Sequence, residues 1–140
     1  MPPWIVFAIA SAASASLVAV FGKIGIKNID STLATTVRSV IMSIFLVLTA
    51  LLLGKHHSLG TIDKKTFIFI ALSGIAGAVS WLFYFLSLKT GPATAVAALD
   101  RLSIVFVIIL AALFLQETIT WKTAIGSILI AGGAILMALK

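Results

Sequence analysis

The chain has 140 residues, of which 61% are hydrophobic and only 10% are charged, and its mean hydropathy is +1.25. Soluble proteins carry about 25% charged residues, so this composition excludes an ordinary soluble domain and indicates a membrane protein. The formal net charge is +6, but the cations are dispersed and form no basic patch or stripe, which argues against a nucleic-acid partner.

Five apolar segments follow one another along the chain, each close to the roughly 20 residues that a helix needs to cross a bilayer. We therefore predict an all-α, polytopic membrane bundle of five transmembrane helices, forming a single domain over residues 1–140. The predicted helices are Trp4–Gly22, Leu33–Gly54, Thr66–Leu88, Ala93–Gln116 and Thr120–Leu139. Short polar loops join them, and Asp30, Ser31 or Thr32 is expected to cap the second helix.

The loop lysines leave the orientation in the membrane open. Cytoplasmic loops normally carry an excess of Lys and Arg, but four loop lysines would lie on each side of this bundle. The chain is therefore expected to insert in both orientations, or with a weak preference for an outside N-terminus. With the N-terminus inside, the cytoplasmic lysines are Lys55, Lys64, Lys65 and Lys122, and the opposite ones are Lys23, Lys27, Lys89 and Lys140.

Arg38 and the neighbours Asp100 and Arg101 are charged residues inside predicted spans. A charge at mid-membrane costs at least about 2.5–3.5 kcal/mol, and pairing or water access is the usual remedy. Because Arg38 and Asp100 lie at similar depths, we expect them to pair. Adjacent helical residues point about 100° apart, which leaves Arg101 for a ligand or a partner subunit. The alternative is a static structural ion pair with an arginine that reaches toward the membrane surface.

The third helix carries a polar stripe that could line a solute path. Its members recur at helical spacing on one face, with Trp81 beside them: Ser73, Gly77, Ser80, Tyr84 and Ser87. Small polar and aromatic side chains give a solute both room and hydrogen bonds, although the same residues could simply pack against a neighbouring helix. The candidate substrate-binding residues are therefore Arg38, Ser80, Trp81, Tyr84, Asp100 and Arg101.

Signals of catalysis or metal binding are weak. Cysteine is absent, which excludes disulfides and thiolate chemistry, and His56 and His57 have no partner at the spacing of a metal site. No nucleophile and base form a recognisable set. We expect a protein that is not an enzyme and that uses no cofactor and no metal.

The second half of the chain resembles the five-helix repeat of the EamA family, in the drug/metabolite transporter superfamily. The matching segments are WLFYFLSLK at 81–89, GPATA at 91–95, FLQE at 114–117 and the glycines Gly126, Gly132 and Gly133. Phe21–Lys23 also resembles the end of the family's first helix. The fourth helix of a typical repeat has a proline near its middle, whereas this chain reads LDRLSIV at 99–105.

The resemblance implies a transporter in a bacterial or archaeal plasma (inner) membrane. Family members usually carry two such repeats in inverted orientation, so one repeat implies that a second copy supplies the other half. We expect a half-size secondary transporter that works as a homodimer, with an antiparallel pair favoured over a parallel one. The excess of one buried cation over Asp100 favours an anionic or zwitterionic small solute. The alternative is a non-transporting assembly or regulatory subunit of the membrane.

Overall fold

The structure is a computed structural model and describes residues 2–139. These residues form helices and contain no strand. The helices are α1 (Pro3–Gly25), α2 (Ser31–Leu52), α3 (Lys64–Thr90), α4 (Ala93–Asp100), α5 (Ser103–Phe114) and α6 (Trp121–Ala138), with a 3₁₀ helix at Lys55–Thr61.

Among residues 2–139, five helical spans are long and apolar enough to cross a membrane, and α4 and α5 together make the fourth, Ala93–Phe114. Their large apolar side chains point mostly outward. Phe69 and Phe83, for example, are 62% and 66% exposed, as suits helices that are surrounded by lipid tails instead of water. The predicted all-α membrane fold is confirmed, and the chain is an integral membrane protein.

The fourth span is interrupted where one continuous helix was predicted. The backbone N–H groups of Arg101, Leu102, Ile104 and Val105 each bond to the carbonyl three residues earlier, at 2.9–3.1 Å, in place of the carbonyl four residues earlier. Arg101 (φ −68°, ψ −12°) and Leu102 (φ −60°, ψ −20°) have torsion angles close to those of a 3₁₀ helix. A tighter turn therefore separates α4 from α5 at the two charged residues, although the segment contains no proline.

Contacts among the residues group the chain into two compact units. One contains residues 2–21 and 90–139, and the other contains residues 22–89. The prediction that residues 1–140 form one domain stays a prediction, and each unit is described below by itself.

In the first unit, α6 is the common partner of α4 and α5, both of which pack against it. Ala95 on α4 and Ala134 on α6 are among its buried side chains. Small residues let helix backbones approach closely in a membrane, where packing replaces the hydrophobic drive between helices. This arrangement holds the break in the fourth span beside α6.

In the second unit, acidic residues cap the first turns of α2 and α3. The Asp30 carboxylate accepts a hydrogen bond from the Leu33 N–H at 2.9 Å, so Asp30 is the cap among the three residues that the sequence offered. The Asp63 carboxylate accepts from the N–H groups of Lys65 and Thr66, and the bond from the Thr66 side chain is the main reason why the pKa of Asp63 is lowered. The stabilisation from Asp63 is therefore present above about pH 4 and is lost as the pH falls through the lowered pKa.

Removing the Asp30 cap should lower stability modestly. We expect Asp30→Ala to reduce the free energy of unfolding by about 0.5–2 kcal/mol, because the Leu33 N–H loses its acceptor. Asp30→Asn is the matched control, since an amide oxygen can still accept this bond. Unfolding monitored by circular dichroism in one detergent measures both variants, and equal losses in the two would contradict a capping role.

Two lysines at the ends of α1 and α3 bind each other's helix terminus. Lys89 at the end of α3 donates from Nζ to the carbonyls of Ile26 (2.6 Å), Ile29 (2.7 Å) and Lys27 (3.3 Å), just beyond α1. Lys23 in the last turn of α1 donates to the Leu88 carbonyl of α3. Cations are favourable at helix C-termini, where free carbonyls and the dipole are both negative. These reciprocal caps join the same end of both helices.

Lys89→Met should destabilise the protein because it leaves several carbonyls without a charged donor. We expect a loss of about 1.5 kcal/mol, the low end for hydrogen bonds to charged groups, since the Lys89 side chain is exposed. Lys27→Met is the matched control, because Lys27 and Lys89 both line one cleft beside the end of α1. Thermal unfolding of both variants in one detergent checks the difference. A larger loss for Lys27→Met would contradict the capping role of Lys89.

Candidate functional site

A cation–aromatic stack lies within the membrane-spanning part of the second unit. Arg38 is the eighth residue of α2, about 10 Å along the helix from its start at 1.5 Å per residue. Its guanidinium carbon lies 3.8 Å from the centre of the Trp81 ring and 5.4 Å from that of Phe85, both on α3. A guanidinium within about 6 Å of a ring face is attracted by the ring's quadrupole. This contact stabilises the arginine at a depth where charge is costly.

The rings below Arg38 form one aromatic cluster. Trp81 and Tyr84 meet edge to face, with centroids 5.5 Å apart and planes at 79°, and Phe85 lies 6.0 Å from Trp81 and 6.1 Å from Tyr84. Residues three and four apart share a helix face, which brings these side chains together on α3. Aromatic pairs with this geometry are stabilising beyond the area they bury. The cluster therefore provides a rigid surface for the guanidinium.

Gly22 allows the end of α1 to approach this cluster closely. A Cβ atom at this position would lie 3.1 Å from Cζ of Phe85 and 3.5 Å from a methyl carbon of Leu88. Phe85 and Leu88 are almost completely buried, so neither side chain has much space to move. Because Gly22 has no side chain, the backbone of α1 can pack directly against Phe85 and restrict its position. Phe85 in turn positions the ring surface under Arg38.

The other intramembrane charges pair with each other in the first unit. Nη2 of Arg101 lies 3.2 Å from Oδ2 of Asp100, and the two side chains are 58% and 36% exposed. The sequence left Arg101 for a ligand or a partner subunit, which stays a prediction. In the structure the long arginine side chain bends back to its neighbour Asp100. Arg101 also lines a cleft of about 290 Å³ with Ser103, Ile104 and Val107 of α5 and Ile130 of α6.

The structure brings the predicted site residues together in two groups. Arg38, Trp81 and Tyr84 contact one another through the aromatic cluster, and Asp100 contacts Arg101. Ser80 is exposed on α3. The predicted pair of Asp100 with Arg38 would join the two units, so it stays a prediction, as does the lining of a cavity by the α3 stripe.

Sequence reasoning missed Phe85 as the second ring under Arg38. Its position four residues after Trp81 on α3 was the available signal, since that spacing places both side chains on one face. It also missed the reciprocal caps of Lys23 and Lys89, whose signal is a basic residue in the last turn of each helix. Among residues 2–139, no cluster of three His, Cys, Asp or Glu side chains could hold a metal ion.

Comparisons with known proteins agree with the five-span membrane fold. The sequence model of the EamA-like transporter family matches residues 2–139. A relative from Sinorhizobium sp., described as an uncharacterized transporter in the cobO 3'region, is 42% identical over 135 residues, which cover 96% of each chain. No solved structure matches. The resemblance seen in the motifs is thus confirmed over nearly the whole length.

Proposed function

Because the chain belongs to the EamA-like transporter family, we propose that it is a half-size secondary transporter in which two copies together move a small solute. The observation that carries this proposal is that the family match covers one set of five spans. The relative from Sinorhizobium is matched over 96% of its own length, so it too is about the size of one repeat. A second copy would supply the inverted repeat that two-repeat members carry in one chain.

The exposed face of α6 is the surface proposed for the contact between copies. Gly132, Gly133, Leu129 and Leu136 share one helix face, and the two leucines are 69% and 71% exposed. A Cβ added at Gly132 or Gly133 would meet no described atom within 4 Å. Glycines on a lipid-facing surface allow a second helix backbone to come close, which supports a dimer contact here.

Cysteine cross-linking tests the dimer directly, because the chain has no cysteine of its own. In an antiparallel pair that crosses at Gly132 and Gly133, position 129 of one copy faces position 136 of the other. In a parallel pair, each position of one copy faces the same position of the other copy. We expect Leu129→Cys and Leu136→Cys, carried on separate molecules and co-expressed in lipid, to form a disulfide dimer. Each variant expressed alone should stay monomeric on denaturing gels.

The outcomes separate the possible assemblies. Self-cross-linking of Leu129→Cys alone would support a parallel pair and contradict the antiparallel arrangement. A chain that stays monomeric in detergent and in lipid, for all three preparations, would contradict a dimer contact through this face of α6. Leu113→Cys on α5 is a control, because it is 70% exposed but lies on another helix.

Transport is tested with proteoliposomes that are loaded with a panel of small organic acids, amino acids, amines and sugars. We expect one class to leave faster than from protein-free vesicles, with Arg38, Ser80, Trp81, Tyr84, Asp100 and Arg101 as the proposed contacts. Mass spectrometry of the external medium measures efflux without prior choice of a solute. A dimer that releases nothing from the panel would favour an assembly or regulatory subunit in place of a transporter.

A further inference from the structure

We propose that Arg38 and Trp81 together bind the carboxylate end of a small, singly charged solute with an apolar body. This inference rests on the proposed transport function and names the chemical class of its solute. It is carried by the surroundings of the Arg38 guanidinium, which has rings over its face but lacks an acceptor at one of its nitrogens.

Nη1 of Arg38 is buried, yet no described residue accepts a hydrogen bond from it. A buried donor without an acceptor is rare in folded proteins, and one on a charged group is more costly than one on a neutral group. The Trp81 and Phe85 rings attract the positive charge through their faces, but they offer no lone pair in the guanidinium plane. The arginine is therefore held in place by the rings while one of its N–H groups still requires an acceptor.

A carboxylate is the acceptor that best fits this arginine. The guanidinium is planar, and its N–H groups form a fixed fork that matches the two oxygens of a carboxylate. The rings contact only the face of the guanidinium, so they leave the in-plane N–H groups of Nη1 without an acceptor. One arginine neutralises one negative charge, whereas a dianion such as phosphate would keep an unpaired charge at membrane depth, where charge is costly. The charge balance at Arg38 thus favours a monoanion.

The surroundings of Arg38 favour an apolar body on the same solute. Trp81, Tyr84 and Phe85 form a continuous aromatic surface on α3. An apolar or aromatic group attached to the carboxylate can lie against Trp81 and Tyr84, which are partly exposed, whereas Phe85 is buried. Small, very hydrophilic anions lack that contribution and should bind more weakly.

Three probes with the same phenyl group and end groups of different charge test the site: phenylacetate, phenylacetamide and 2-phenylethylamine. The full chain in lipid nanodiscs keeps Trp81 as the only tryptophan after Trp4→Phe and Trp121→Phe, two positions that are 68% and 78% exposed. We expect phenylacetate to change the Trp81 fluorescence saturably. The neutral amide and the amine should bind at least about tenfold more weakly. Equal affinity of the protein with native Arg38 for all three probes would overturn the proposal.

Substitution of Arg38 gives the second test. Arg38→Met should weaken phenylacetate binding at least about tenfold, and Arg38→Lys should recover only part of it, because an ammonium keeps the charge but loses the planar fork. Lys27→Met, which removes a cation elsewhere in the same unit, should leave the affinity unchanged. A folded Arg38→Met protein that binds phenylacetate like the parent would overturn the proposal. If that variant does not fold, the comparison of the three probes on the parent protein decides the question.

The proposed transport function and the proposed carboxylate site are tested by different measurements. Binding to nanodiscs at equilibrium needs no net movement of solute, so phenylacetate could bind through Arg38 even if no class leaves the proteoliposomes. In that case the carboxylate site stands and transport does not. Conversely, efflux confined to amines or sugars would support transport and overturn the carboxylate site.

Discussion

Phe85→Ala is expected to lower the free energy of unfolding by about 3–5 kcal/mol, the range for removing a large aromatic side chain from a packed interior. Phe85 is only 2% exposed and lies against Gly22, Trp81 and the Arg38 guanidinium. Its loss would leave a cavity between the ends of α1 and α3 and would remove one ring from under the arginine. Chemical unfolding in a mild detergent measures the change.

Phe83→Ala is the matched control, because Phe83 lies two residues away on α3 and is 66% exposed. Its ring faces the lipid, so truncation leaves no interior cavity and should cost much less. A similar loss for Phe83→Ala and Phe85→Ala would mean that helix formation, and not packing, determines the effect. That result would contradict the interior position of Phe85.

The positions of the five spans could be predicted because bilayer thickness sets the length of each apolar run. The errors lie at the ends. α1 continues through Lys23 to Gly25, and α3 begins at Lys64 and ends at Thr90, beyond the predicted limits. Lysine has a long apolar stem that can reach the membrane surface from inside a helix, so the last apolar residue does not mark the last helical one.

The break in the fourth span could not be predicted from hydropathy, because hydropathy depends on residue types alone. The same apolar sequence can form α or 3₁₀ hydrogen bonds. Proline is the usual sequence signal for such an interruption, and the segment at 99–105 has none. The candidate site was only partly predictable, because residue types do not show how the side chains of neighbouring helices meet. Arg38 and Trp81 stand out individually as unusual residues in apolar helices, but their contact depends on how the side chains of α2 and α3 meet.

The charged pair at this break places two candidate site residues and a backbone irregularity at one point. Short 3₁₀ segments inside longer helices often mark hinges, and interrupted helices form the solute and ion sites of many secondary transporters. Asp100 ends α4, Arg101 and Leu102 form the tight turn, and the cleft that Arg101 lines runs along the start of α5. A charge change at Asp100 therefore acts on the turn and on the cleft together.

Asp100→Asn is expected to reduce the initial rate of solute efflux from proteoliposomes by at least about tenfold. The substitution leaves Arg101 without its carboxylate inside a membrane span, where an unpaired charge costs about 2.5–3.5 kcal/mol. A tenfold slower rate requires that about 1.4 kcal/mol of this cost appears in the transport barrier. Lys64→Gln at the start of α3 is the control and should transport like the parent. Thermal unfolding in the same detergent establishes that both variants are folded.

The double variant Asp100→Asn/Arg101→Gln separates a structural pair from a functional one. Removing both charges relieves the unpaired arginine, so we expect the thermal stability lost in Asp100→Asn to return. Efflux should stay slow because the cleft has lost the charge of Arg101. Native efflux in the double variant would show that the two charges only neutralise each other. A folded Asp100→Asn protein that transports at the parent rate from pH 5 to pH 8 would equally remove Asp100 from the mechanism. In either case the candidate site would contract to Arg38 and the aromatic cluster beneath it.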